Sequence, residues 1–293
     1  MSCTEHRGKV NGVNLCWFEW GRDHRDRGTI LLVHATGFHA RCWDATVAHL
    51  RGQHVIAVDM RGHGRSDKTP PYTWDIFGQD LAALVREMEL KCIVGVGHSM
   101  GGHSLTQAAA AEPSRFDHLV LVDPVILSPL AYAAFAGAGN PQDHPVSRRR
   151  SQFDSVEAMV DNLAGRGGFA LWEPAVLKDY CRYGLLPNPD GPGLILACPP
   201  LVEAAVYAGS AGTNILDLVE QVAIPVTILR APPRDPDHPV MDFSKSPTWP
   251  ELADHFQKGT DVYLPELTHF IPMQAPRLVA GHILKYAQAT SSE

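Results

Sequence analysis

Five short stretches of this chain, residues 29–34, 54–59, 92–97, 118–123 and 225–230, are almost continuously apolar and rich in Val, Ile and Leu. A strand with one wetted face alternates polar and apolar residues, so unbroken runs of this length describe strands buried on both faces. Helical spacing lies between them. It is clearest over residues 74–90, where Phe77, Leu81, Leu84, Val85 and Met88 recur behind a Thr73 suited to capping. Residues 99–111 are dominated by alanine and glycine, the composition of a helix pressed close to its neighbours. Strand and helix alternating in this way call for an α/β architecture: a mostly parallel open sheet, right-handed crossovers and helices on both faces.

The ends of this region read differently. Residues 8–21 alternate around Asn11-Gly12, a pair that tolerates positive φ at both central turn positions, and predict a β-hairpin. From residue 124 to about 212 the alternation stops, and aromatic residues (Tyr132, Phe135, Phe169, Trp172, Tyr180, Tyr183, Tyr207) appear among frequent Gly and Pro. This segment reads as an inserted, largely helical cap over residues 128–212, dividing a core domain of residues 1–127 and 213–293. Two or three of its aromatics are expected to face a pocket. The rhythm resumes with a helix over 214–221, a strand over 226–229, a helix near 250–258, a strand over 261–264 and a last helix over 275–287. Residues 290–293 read as a frayed tail.

Composition removes several classes of function. Twenty-five basic against thirty-two acidic residues leave a net charge of -7, the wrong sign for a protein that neutralises nucleic-acid phosphates. No apolar stretch approaches the ~20 residues that span a bilayer, and the first ten residues are polar rather than signal-like, so the chain reads as soluble, unexported and cytoplasmic. Six cysteines lack a CxxC pair and fifteen histidines form no HExxH, so neither disulfides nor a metal is implied.

Gly97-His98-Ser99-Met100-Gly101 follows a buried strand and opens a helix, the context of a nucleophile elbow. Flanking glycines make room for a serine in a sharp, strained turn, and the first helical N–H groups then point at the same spot. A serine hydroxyl needs a base, and His269, between the last strand and the last helix, lies where a loop from the sheet edge hangs over Ser99. The third member should be a carboxylate between them in sequence. Asp235, in the loop after the strand ending at Arg230, is nearest the expected position; Asp237 in the same loop and Asp123 at the end of an earlier strand are the alternatives. Asp123 also reads as a structural carboxylate at the entrance to the cap. Arg148-Arg149-Arg150 reads as a solvated charge run, although a guanidinium can clamp an anionic substrate.

Four segments together, His34-Ala35-Thr36-Gly37-Phe38, residues 59–67 (DMRGHGRSD), the elbow and Thr268-His269-Phe270-Ile271-Pro272, resemble the α/β-hydrolase superfamily, in its cap-bearing serine esterase-like branch. The resemblance implies an eight-stranded, mostly parallel sheet, a cap inserted after the sixth strand and no cofactor. It also implies that the backbone N–H groups of Thr36 and Met100 form an oxyanion hole, that His34 is structural, and that Arg61 and Asp67 brace neighbouring loops. The family's usual glycine after the first histidine is Ala35 here.

A serine at the elbow disfavours the carboxylate-nucleophile chemistries of dehalogenases and epoxide hydrolases. The expected activity is hydrolysis of small to medium, uncharged and largely apolar carboxylic esters through an acyl-enzyme. Lactonase, carbon–carbon bond (diketone) hydrolase, acyltransferase and cofactor-free perhydrolase chemistry use the same residues, and a silent capped-pocket receptor is the non-enzyme alternative. The only partner expected is a small-molecule ester; homodimerisation is left open.

Overall fold

The computed structural model of the chain describes residues 1–134, 139–210, 213–235 and 241–287. Phe135, Asp237 and the 290–293 tail therefore lie outside the described residues. In chain order the strands are β1 (Cys3–Val10), β2 (Val13–Trp20), β3 (Thr29–Val33), β4 (Val55–Asp59), β5 (Ile93–His98), β6 (Phe116–Val122), β7 (Gln152–Phe153), β8 (Leu185–Pro187), β9 (Leu194–Leu196), β10 (Val226–Arg230) and β11 (Gly259–Tyr263). Eight of them form one sheet in the order β1-β2-β4-β3-β5-β6-β10-β11. β1 and β2 pair antiparallel with each other, as do β2 and β4; every other pairing in this sheet is parallel.

The apolar runs explain why the middle of this sheet is dry on both sides. Along β3, Leu31 and Val33 pack into one core cluster with the helices Trp74–Glu87 and Met100–Ala111, while Ile30 and Leu32 pack into another with Trp43, Leu50, Val279 and Ile283. The same division by odd and even position recurs at Ile56/Val58 against Val55/Ala57, and at Leu119/Leu121 against Val120/Val122. Each such Val, Leu or Ile side chain buried contributes roughly 1.5–3 kcal/mol. The hairpin begins earlier than its alternation suggests, at Cys3, because β1 is an exposed edge strand whose partner β2 supplies the buried side chains. Its turn is the expected one, with Asn11 at φ 45° and Gly12 at φ 84°.

Differences from the sequence reading sit at the last elements. The helix expected near 250–258 is a single turn, Leu252–His255, and β11 starts two residues earlier than expected because Gly259 already pairs with Val226. Thr73 has the extended backbone of an N-cap, but its hydroxyl makes no capping bond. Between β6 and the helix Leu216–Gln221, the segment read as largely helical also holds a three-stranded sheet, β7-β9-β8. The turn-forming residues 188–193 (NPDGPG) fold Leu185–Pro187 back on Leu194–Leu196. This segment has its own cluster of Phe153, Met159, Trp172, Leu177, Tyr180 and Cys181, which Cys42 and Met273 join from outside it.

A close backbone approach lies where β5 turns into the next helix. A Cβ on Gly97 would lie 2.4 Å from the Gly101 carbonyl oxygen, and one on Gly101 would lie 2.3 Å from the Val33 carbonyl oxygen. The helix Met100–Ala111 meets the ends of β3 and β5 backbone to backbone, where nothing can rotate aside. Gly101→Ala is therefore expected to lower the unfolding free energy by about 1–3 kcal/mol in urea titrations. Gly281→Ala, exposed in the helix Pro276–Ala287 with open space around it, should leave it unchanged or raise it by about 0.5–1 kcal/mol. Equal losses at both positions would contradict this account of the packing.

Candidate active site

The turn from β5 into the helix Met100–Ala111 holds Ser99 at φ 56° and ψ -118°, a region that L-residues avoid. Strain of this kind persists only where neighbours over-determine it. The Ser99 N–H donates to the Val122 carbonyl (3.1 Å) and its own carbonyl accepts from the Val125 N–H (3.2 Å), so the elbow is tied on both sides to the chain around Asp123. Asp123 also has a positive φ, 46°.

Ser99 Oγ lies 3.0 Å from His269 Nε2, and His269 Nδ1 lies 2.6 Å from Asp123 Oδ2. All three residues are buried. The carboxylate opposite His269 is thus Asp123 and not Asp235, a correction to the expected position. The reason lies in how the loop after β10 is held. Ser246 donates its N–H to the Pro232 carbonyl (2.7 Å) and accepts at its own carbonyl from the Arg234 N–H (3.2 Å), which zips the loop onto the 246 segment. Asp235 is left exposed. The same loop donates the Ala231 N–H to Asp123 Oδ1 (2.9 Å), and Ser246 Oγ donates to that oxygen as well (2.7 Å). With His269, three donors converge on one carboxylate, an arrangement that fixes its direction.

His98 was not singled out from the sequence. Its Nε2–H donates to the His269 carbonyl (2.8 Å), and its ring centroid is 5.0 Å from that of His269. Burial holds His98 well below the ordinary histidine range, so it stays neutral as a clamp on the loop. Phe243 stacks on the His269 ring at 5.5 Å, and its carbonyl accepts the His269 N–H. The only available signal for His98 was its place beside Ser99 in the elbow.

The loop carrying Thr36 is braced by two further buried histidines. His34 donates from Nδ1 to the Ala35 carbonyl (2.7 Å) and accepts the Met60 N–H at Nε2 (3.0 Å). His63 donates from Nδ1 to the Arg61 carbonyl (2.9 Å) and accepts the Gly37 N–H at Nε2 (3.0 Å). Both bonds at Nε2 need a neutral ring, and burial lowers both pKa values accordingly. Arg61 forms a two-pronged pair with Asp80 (2.7 and 2.8 Å), while Asp67 accepts the Asn14 N–H (2.8 Å). Thr36 Oγ1 contacts Met100 Sδ at 3.4 Å, so the side chains of these two residues touch; Met100 is the first residue of its helix.

Two cavities border Ser99. One, of about 580 Å³, is walled by Trp74, Val125, Leu127, Tyr132 and Pro247; the other, of about 760 Å³, by Phe38, Leu163, Phe169, Tyr180 and Phe270. Thr36, Ser99, Tyr207, Met241 and Phe243 line both. Two or three aromatics of the 128–212 segment are expected to face a pocket; among the described residues four do, Tyr132, Phe169, Tyr180 and Tyr207. The arginine run divides: Arg148 and Arg150 are exposed, whereas Arg149 reaches the second cavity, bonded to Glu203 Oε2 (2.7 Å) and to the Tyr180 hydroxyl (3.0 Å). The expectation of a wholly solvated run is corrected at Arg149, because the buried Glu203 carboxylate draws it inward. Among the described residues no group of three His, Cys, Asp or Glu side chains is arranged to hold a metal ion, and no helix is long and apolar enough to cross a membrane.

Known proteins share both the sequence and the fold. Over 95% of its length the chain is 24% identical to a bifunctional esterase/perhydrolase of Acinetobacter calcoaceticus, covering 98% of that protein. A non-heme chloroperoxidase of Streptomyces lividans is 36% identical over 119 residues, which is 39% of this chain and 42% of that one. The matched stretches thus span only about two-fifths of the first curated relatives. The crystal structure of E-2-(acetamidomethylene)succinate hydrolase shares the fold, with a TM-score of 0.78 at 21% identity over 98% of this chain and 100% of the other. Residues 30–282 match the model of the alpha/beta hydrolase family, and the chain belongs to that family.

Proposed function

We propose that this protein is a serine hydrolase of carboxylic esters, with Ser99 as nucleophile, His269 as base and Asp123 as the acid that orients it. The observation that carries the reading is the unbroken chain of contacts from Ser99 Oγ through His269 to Asp123 Oδ2, at 3.0 and 2.6 Å, at the floor of two apolar cavities. In this reading His269 Nε2 takes the Ser99 proton as Oγ bonds to the ester carbonyl carbon. The N–H groups of Thr36 and Met100 hold the resulting oxyanion. Collapse expels the alcohol, which leaves with the proton from His269. Water then attacks the acyl-enzyme, gives a proton to His269, and releases the acid and free Ser99. Asp123 stabilises the imidazolium in both halves without taking the proton.

The inserted segment serves as the cap, since its Tyr132, Phe169, Tyr180 and Tyr207 wall the cavities and limit water at the acyl-enzyme. Two cavities meeting at one nucleophile suit an acyl chain in one and the leaving alcohol in the other. A second reading has a specific support: the relative matched over nearly the whole chain is named for perhydrolase as well as esterase activity. In that reaction hydrogen peroxide replaces water as the attacker of the acyl-enzyme, and the product is a peracid.

Side-by-side assays of nitrophenyl and alkyl esters, lactones and diketones test the reading, with peracid formation measured when peroxide is added. Ester turnover is expected, and Ser99→Ala and His269→Ala should each reduce it by about 10³-fold or more while the protein stays folded. Diketone cleavage without ester turnover would overturn the substrate class. Asp123→Asn should cost about 10³-fold or more in kcat, and Asp235→Asn little. An inactive Asp235→Asn beside a fully active Asp123→Asn would return the acid to the loop after β10.

A further inference from the structure

The two cavities treat charge differently. In the second, the Arg149 guanidinium is already matched by the Glu203 carboxylate and the Tyr180 hydroxyl, so its charge is answered locally. In the first, the cation is Arg234. Its backbone is fixed by the bond to the Ser246 carbonyl, and its guanidinium lies 5.8 Å from the Phe243 ring centroid. Among the described residues no carboxylate forms an ion pair with it, and its buried Nε has no hydrogen-bond partner. Asp123 and Asp242 act on it only from a distance, and burial, the largest influence, pulls it below the ordinary arginine range.

The histidines of this cavity do not supply a rival charge. His103 donates from Nε2 to the Thr213 carbonyl, accepts from Gln107 at Nδ1, and is lowered to about 4 by burial. His144 accepts the Val146 N–H and is stacked on Tyr207, and burial lowers it too. The remaining carboxylate on the wall, Asp143, is exposed. An incompletely hydrogen-bonded guanidinium facing a largely apolar cavity is costly unless a ligand completes it. A carboxylate does so with two parallel N–H···O bonds.

We propose that the first cavity selects substrates carrying a free carboxylate beyond an apolar spacer, such as half-esters of dicarboxylic acids, and that Arg234 is the specificity-determining residue. The carboxylate of such a substrate meets Arg234, its ester carbonyl meets Ser99, and Trp74, Val125 and Leu127 cover the spacer between them. This assignment rests on the ester-hydrolase reading for the reacting bond, but not for the binding of the carboxylate.

The test uses 4-nitrophenyl half-esters of dicarboxylic acids with increasing spacer length, each against the ester bearing a terminal carboxamide, and a second series with the carboxylate on the alcohol side. In one series the wild-type protein should prefer the carboxylate by about tenfold or more in kcat/KM. Arg234→Gln should bring that ratio close to one, and Arg234→Lys should keep part of it. No preference in either series, or a preference abolished by Arg149→Gln and untouched by Arg234→Gln, would overturn the proposal. Calorimetric binding of a dicarboxylic acid monomethyl ester to Ser99→Ala protein separates it from the hydrolase reading. Binding weakened about tenfold or more by adding Arg234→Gln supports the site even if no ester turns over. Ester turnover with Arg234-independent binding leaves the hydrolase reading standing and removes this one.

Discussion

Ser99 sits at φ 56° with both its backbone groups bonded to the chain that leaves β6, and the helix behind it reaches that position only because Gly97, Gly101 and Gly102 carry no Cβ. The geometry of the rest of the site follows from this contact. The serine and Asp123 cannot move independently, since Val122 and Val125, on either side of Asp123, are the residues that hold the elbow. His269 then needs to be placed against only one rigid unit. His98, the residue before Ser99, does so by bonding the His269 carbonyl, so the elbow braces the His269 loop as well as holding the serine. In the proposed reaction, preorganisation of this sort would let a weak nucleophile act without rearranging its surroundings.

The carboxylate bonded to His269 shows where sequence reasoning loses its grip. β6 and β10 are adjacent parallel strands, so a carboxylate at the end of either can reach the same imidazole. Which one does so is decided by the loop after β10, and that loop is held by the backbone of Ser246, whose hydroxyl bonds Asp123. Nothing in the local pattern of residues 231–237 reports that contact. Asp123 closes an apolar run and looks like the last residue of a strand; its left-handed backbone, which swings the side chain toward His269, is visible only in three dimensions.

By contrast, the sheet was legible because its signal is local and repeated. Runs such as Thr29–Val33 and Val55–Asp59 bury alternate side chains into two cores, and that double burial is what removes polar residues from them. Elements supported by fewer apolar residues were read less well: the single turn Leu252–His255, the edge strand β11, and the small sheet β7-β9-β8 inside a segment that looked helical. In the site, Ser99 and His269 carried flanking signatures, whereas Glu203 and Arg234 gained meaning only from what they face. Arg149 and Arg234 carry the same charge; a buried carboxylate bonds the first, whereas the buried Nε of the second has no hydrogen-bond partner among the described residues.

The central claim is that this backbone arrangement makes Ser99 a nucleophile through His269 and Asp123. Its most direct measurement is the rate at which a fluorophosphonate probe labels the folded protein, read by intact mass and peptide mapping. The account predicts a single adduct on Ser99, formed much more slowly in Asp123→Asn protein that unfolds at the same urea concentration. Folded wild-type protein that takes up no label, or an Asp123→Asn variant labelled at Ser99 as fast as the wild type, would contradict it.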